Sequence, residues 1–265
     1  MDHRGEDRVD DRGDRDDRDD GERWSAVADG WAELWGSFAE PVWAPLLAAS
    51  RIGPGSRVLD VGCGTGELAA HLARSGARAT GVDPAPAMVR RAREQSPAAR
   101  FLEGDAEHLP FEDDAFDAVL AVNALQLADD VDDALAEVAR VLAPGGRVGI
   151  AGWAEGARND LDVVERAVAA AWEDEMPPDG PLRAAGGLES VLAGAGFDVV
   201  GAGIVDVPWT VPDDDRLVRG VLLGEDEATT AELAPTVLRA AAPFRVPGGG
   251  YRLANAFRWA VATAR

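Results

Sequence analysis

The chain is 265 residues long, carries a formal net charge of −22, and has arginine at all 26 of its basic positions. With no lysine it excludes a lysine-bearing phosphate loop, a lysine Schiff base and a lysine general base. Its negative charge would repel a phosphate backbone and attract a cation, so nucleic acid is not an expected partner.

Residues 1–23 mix arginine with aspartate and hold almost nothing that could enter a core, which predicts a disordered charged tail. One domain is expected over 24–265. Trp24, Val27, Trp31, Leu34, Trp35 and Phe38 recur at helical spacing and predict an amphipathic helix over 24–38. Pro41 and Pro45 punctuate the next stretch, and a second short helix is expected near 46–52. Strands are then expected at 57–61, 79–83, 99–103, 116–122 and 146–152, with helices at 66–75, 86–95 and 132–142 between them. The stretch LAPGGRV (142–148) reads as a helix end, a proline–glycine turn and a new strand. A helix at 187–195, a strand at 197–207 and a closing strand in NAFRWAVATAR complete the pattern. Segments 155–186 and 208–250, rich in proline, acid and alanine, are expected to join the helices of 24–52 as a cap. Alternation of this kind implies a doubly wound α/β fold, whose ligand sits beyond the carboxyl ends of the strands.

VLDVGCGTG (58–66) carries an apolar strand into Gly62, Gly64 and Gly66. A dinucleotide fingerprint would need glycine at 67, where the chain has Glu67, and a glutamate there would repel a pyrophosphate at the helix start. A nucleoside ligand without phosphates remains. Asp60 lies on the strand before the turn, an awkward place for a charge unless it serves a ligand or backbone amides. Asp83 ends the second strand and Asp105 follows the third, so three consecutive strands each deliver an aspartate near the binding edge. An acid at the place of Asp83 can accept both hydroxyls of a ribose.

VLDVGCGTG, GVDPAPAMV, GDAEHLPFEDDAFDAVLAVNALQ and RVLAPGGRV together resemble, in order and spacing, the motifs of class I S-adenosylmethionine-dependent methyltransferases, nearest the small-molecule, quinone-biosynthesis-like branch. The resemblance is close over 55–153. It implies a Rossmann-like seven-stranded sheet of order 3-2-1-4-5-7-6 with one antiparallel strand, a helical lid, and S-adenosylmethionine as cofactor. It further implies that Gly62, Cys63, Gly64 and Gly66 let the backbone approach the methionine and ribose portions. Asp60 would orient the methionine amino group, and Asp83 would hold the ribose. Met88 would pack near the adenine, Asp105 and the Ala106 backbone would read it, and the Asn123 backbone would face the methionine.

Methyl transfer needs alignment more than a catalytic signature, and no catalytic residue stands out. After the fourth strand, AVNALQL (121–127) lacks the Asn/Asp-Pro-Pro-aromatic motif of DNA and protein-amide methylators, and Gln126 stands near where many small-molecule relatives carry histidine. His108 reads as a loop residue and Asp129 and Asp130 as a helix start. Trp31, Trp35 and Trp153, with Gln126, are the candidate lining of an acceptor pocket suited to an apolar or aromatic small molecule. The reaction expected is transfer of a methyl group to that molecule. The alternative is an inactive cofactor-binding regulator of the same fold; an oxidoreductase is disfavoured by Glu67. The single cysteine, Cys63, can form no internal disulfide, no apolar run approaches a membrane span, and no metal cluster or signal peptide is visible. The chain reads as soluble and cytoplasmic.

Overall fold

A computed structural model describes residues 17–264. The first sixteen residues of the expected tail therefore lie outside the described residues. The rest of that tail is helical: α1 spans Asp17–Leu34, starting before the expected Trp24 and stopping short of 38. Tertiary contact holds this early part, because Gly21 is buried where a Cβ would come 3.2 Å from the Pro84 carbonyl oxygen. The helix α2 (Glu40–Ser50) also starts earlier than expected, with Pro41 in its first turn and Pro45 inside it. A proline in the first turn removes no needed donor. Burial of Val42, Trp43 and Leu46 holds the helix through the second proline.

The alternating segment follows its predicted course. It runs through β1 (Arg57–Val61), α3 (Glu67–Arg74), β2 (Arg78–Asp83), α4 (Pro86–Gln95), β3 (Arg100–Glu103), β4 (Phe116–Val122), α5 (Val131–Val141) and β5 (Leu142–Trp153). LAPGGRV does not interrupt the last strand: β5 starts at Leu142 and absorbs the proline–glycine turn through a register shift against Phe116 and Ala118 of β4. Beyond it come α6 (Asp160–Ala171), α7 (Gly187–Gly194), β6 (Asp198–Asp206), β7 (Trp209–Val211), α8 (Asp214–Val221), α9 (Glu227–Ala241), β8 (Tyr251–Leu253) and β9 (Ala256–Thr263).

Seven strands form one sheet in the order β3-β2-β1-β4-β5-β9-β6, with β9 antiparallel to both neighbours. This is the expected 3-2-1-4-5-7-6 order, β9 taking the seventh place once the β7–β8 ribbon is set aside. Central strands with both faces covered need near-continuous apolar sequence. VLDV of β1 is buried throughout, whereas the edge strand β6 leaves Val200 and Ile204 exposed. The order reverses between β1 and β4, which opens a crevice at their carboxyl ends.

The two late inserts fold together. Helices α6, α8 and α9 and the β7–β8 ribbon share one apolar cluster with Leu34 and Trp35 of α1 and its end. No helix among the described residues is long and apolar enough to cross a membrane. Two buried asparagines fasten this layer to the sheet. The Asn159 amide donates to the carbonyls of Ala154 (2.9 Å) and Glu155 (3.0 Å), and its oxygen accepts from Ala256 N–H at 3.0 Å. The Asn255 oxygen accepts from Leu161 N–H, so the start of α6 is satisfied from the entry to β9. Replacing one partner of buried hydrogen bonds leaves the other unsatisfied, at about 1–3 kcal/mol per site. Asn159→Ala is therefore expected to lower stability by about 2–3 kcal/mol in urea unfolding while leaving the far-ultraviolet spectrum of the folded state unchanged.

Candidate active site

A cavity of about 1070 Å³ opens at the carboxyl ends of β1, β2 and β4, and every predicted site residue except Gly66 lines it. The glycine turn builds its floor. Gly62 and Gly64 have φ of 66° and 51°, which L side chains rarely adopt, and a Cβ on Gly62 would lie 2.4 Å from the Ala124 Cβ. Gly66 (φ 90°) supports the turn from behind, packed so closely to Ala92 and Phe101 that it makes no wall of the cavity. The Cys63 thiol is buried and pushed well up by that burial, the behaviour of a packing residue rather than a nucleophile.

Three carboxyl groups converge behind this turn. Asp60 on β1 is 2% exposed, and its Oδ2 has no hydrogen-bond partner. Burial first, then the charges of Asp83 and Glu67, push its carboxyl up to about 8. Asp83, at the end of β2, accepts from Gly64 N–H (2.8 Å) and Ala85 N–H (3.0 Å), and burial also shifts it upward. Each of its oxygens keeps a further lone pair for a ligand. Glu67, whose sequence position served only to exclude a pyrophosphate, folds back into the cavity. Its Oε1 accepts from the Thr65 hydroxyl at 2.7 Å, and it fills the space beside Gly36. Burial raises it as well.

The remaining predicted residues fall on three sides. Met88 is buried with Ala28, Ala85 and Ala87, beneath Trp24, Val27 and Trp31 of α1. Asp105 and Ala106 form the rim, where Asp105 Oδ1 lies 3.2 Å from His108 Nδ1. Asn123 closes β4 in the left-handed region (φ 55°); its N–H donates to Ala151 O (2.7 Å) and its side-chain oxygen accepts from Gln126 Nε2 at 2.9 Å. Asp130 caps α5, as expected of a helix start, by accepting from the N–H groups of Asp132 and Asp133.

Opposite the glycines the wall is aromatic. Trp31 stacks on Trp35 at 6.3 Å between centroids, and Trp153 meets Phe38 at 5.2 Å and Phe257 at 5.0 Å. Trp35 is chiefly a fastening of the lid: it stacks on Trp209 at 4.3 Å and donates from Nε1 to the Gly220 carbonyl at 3.1 Å. The two inserts add Leu161, Glu165, Gly220 and Leu223 to the lining. Glu165 has no counterpart among the sequence-predicted residues. It belongs to no motif, and the only signal was the apolar spacing of Leu161, Val164 and Val168, which marks the inward face of α6.

No arginine is among the described residues lining the cavity. The arrangement of orphaned carboxylate, further shielded acids and tight glycine backbone fits a compact cationic nucleoside and repels a phosphate. No group of acidic, histidine or cysteine side chains among the described residues is arranged to hold a metal ion.

Comparison with known proteins agrees. Residues 59–150 match the family model described as a methyltransferase domain. The chain is 39% identical over 116 residues to a malonyl-[acyl-carrier protein] O-methyltransferase of Pectobacterium atrosepticum, covering 44% of this chain and 46% of that protein. It is 45% identical over 105 residues to an uncharacterized methyltransferase of Mycobacterium tuberculosis, covering 40% and 41%. The matched stretch thus spans less than half the length of these relatives. In structure the chain resembles the YcgJ protein of Bacillus subtilis, with TM-score 0.59, 20% identity, and coverage of 84% of this chain and 97% of that one.

Asp60 gives the site a measurable signature. An unfolded aspartate titrates near about 3.9, so between about pH 4 and 8 the ligand-free folded chain holds a proton that the unfolded chain has lost. The stability this proton provides is full below about pH 4 and is lost as pH rises to about 8. Asp60→Asn is expected to flatten that fall and to exceed the native chain at pH 8 by at least about 1 kcal/mol in urea unfolding. Residues 59–150 are thus similar in sequence to a methyltransferase domain, and the sheet order is the one that the resemblance to class I S-adenosylmethionine-dependent methyltransferases implies.

Proposed function

We propose that this chain transfers a methyl group from S-adenosylmethionine to a small-molecule acceptor whose body is apolar or aromatic. The observation that carries the reading is the set of three shielded carboxyl groups behind a glycine turn at the sheet's reversal point, in a cavity whose wall holds no arginine among the described residues. Asp60 would receive the donor's amino group, which supplies the partner that its Oδ2 lacks. Asp83 would accept the ribose hydroxyls while its amide contacts hold it in place. Met88 would pack against the adenine, with Asp105 and the Ala106 backbone reading its edge, and the Asn123 backbone would face the methionine.

When bound, S-adenosylmethionine supplies a methyl group already activated by a positive sulfur. The protein then needs chiefly to align the acceptor and exclude water, and alignment alone is worth about 7–11 kcal/mol. Trp31, Trp153 and Phe38 provide the dry wall for this, and the hydrogen bond from Gln126 to Asn123 holds an amide at the junction of the donor and acceptor halves. The aromatic lining supports an acceptor with an apolar or aromatic body.

Calorimetry is expected to show saturable binding of S-adenosylmethionine and of S-adenosylhomocysteine, its demethylated product, and none of NAD. Asp83→Ala is expected to weaken both by at least about thirtyfold, the equivalent of about 2 kcal/mol. Absence of binding by the first two ligands, or an unaffected Asp83→Ala variant, would overturn the assignment.

A further inference from the structure

Glu165 stands apart from the acids of the donor site. It lies on α6, one turn beyond Leu161; both residues line the cavity, and Leu161 shares the apolar cluster of Trp31, Trp35 and Trp153. It is the one carboxyl group that the two inserts contribute among the described lining residues. It is half-buried and, among the described residues, makes no hydrogen bond or ion pair. Its neighbour Asp162 differs in all these respects. Asp162 is 4% exposed and accepts from Arg183 Nη2 with both oxygens at 2.9 Å, and Arg166 lies 3.7 Å away. The guanidinium that acts on Glu165, that of Arg183, is thus committed to another carboxylate.

A shielded carboxylate without a partner is costly, and a cation beside it removes that cost. The layer around α6 is apolar: α9 packs on it, and Leu34, Leu217 and Leu233 share its cluster. The charged groups that act on it are Asp162 on its own helix and Arg183 on the segment that follows. Tryptophan faces, the other feature of this end, attract cations. An acceptor bearing a carboxylate or phosphate would meet like charge there with no arginine in the wall to hold it.

We infer that the acceptor is an amine with an apolar or aromatic body, bound as its ammonium form between the tryptophans and Glu165, and that Glu165 then takes its proton. The inference rests on the methyltransferase reading above. An ammonium has no free electron pair, so one N–H bond must break before the nitrogen can react, and the proton passes to a Glu165 oxygen. The freed pair forms the bond to carbon as the carbon–sulfur bond of the donor breaks and its electrons stay on sulfur. The product leaves as an N-methylammonium ion, and Glu165 returns its proton to water. Burial, with Asp162 nearby, pushes Glu165 up to about 7, a value suited to holding a proton briefly and releasing it near neutrality.

Three probes of like shape test this by binding alone: 2-phenylethylamine, 2-phenylethanol and 3-phenylpropanoate. Each is titrated by tryptophan fluorescence into the full chain saturated with S-adenosylhomocysteine. The amine is expected to bind at least about tenfold more tightly than either other probe at pH 8. Its affinity should rise as pH increases from about 6 to 8, because Glu165 loses its proton across that range. E165Q is expected to abolish both the preference and the rise while leaving affinity for S-adenosylhomocysteine unchanged. Equal binding of the alcohol or carboxylate, a flat pH series, or a preference that survives in E165Q overturns the inference. Should E165Q not fold, the pH series of the native chain decides. Failure of the native chain to bind S-adenosylhomocysteine overturns the methyltransferase reading too, whereas such binding without amine preference overturns this inference alone.

Discussion

Asp60, Glu67 and Asp83 share one small volume behind a glycine turn, in a cavity wall without arginine among the described residues, and much of the surrounding structure answers to that constraint. Each charge could be stabilised by water, but the sheet and α1 remove most of it. Backbone amides supply part of the compensation: Gly64 and Ala85 both donate to Asp83. Gly64 matters here twice, since its positive φ accompanies an amide aimed at the acid and its missing Cβ leaves room for a ligand. What remains is a deficit of positive charge, and a sulfonium or ammonium group removes it. Ligand specificity in this half of the site is therefore a matter of electrostatics first and shape second.

The aromatic half of the cavity obeys a different logic. Its walls come from elements far apart in sequence: α1, the connection to α2 at Phe38, the end of β5, and the inserts carrying α6 and α8. Packing of aromatic rings fixes their relative places, as in the stack of Trp35 on Trp209 against Gly220, where a Cβ would lie 2.5 Å from the ring. The buried asparagines then tie this layer to β9. A single class of polar tether and one chain of stacked rings thus hold this wall in place.

These two logics explain how much was legible in the sequence alone. The donor half is local: strand, glycine turn and strand-end acid lie within short stretches, so spacing alone placed Asp60, Gly62, Gly64 and Asp83, and the strand order came with the motif set. The lid was legible only as composition. Helices α6, α8 and α9 carry no motif to announce them, and their apolar faces are complementary to one another, to the β7–β8 ribbon and to the end of α1. At the amino end, charge suggested disorder through residue 23, whereas the described part of that run, from Asp17, begins α1. Prolines misled it at α2, because burial of Trp43 and Leu46 outweighs the backbone bond that Pro45 forgoes. Glu165 carries no motif to announce it, since its solitude is a property of neighbours brought in from elsewhere.

Helix α1 lies along both halves. Near its start Gly21 rests on Pro84, and the Ser25 hydroxyl accepts from Ala87 N–H at 3.3 Å, beside Met88. Near its finish Glu33 pairs with Arg219 at 2.7 Å, and Trp35 comes next, locked to α8. At 18 residues it is a beam about 27 Å long, the span of a small domain. A beam clamped at both ends cannot lift at one without loading the other. The one helix therefore ties the glycine-lined end of the cavity to the layer that the inserts build over its other end.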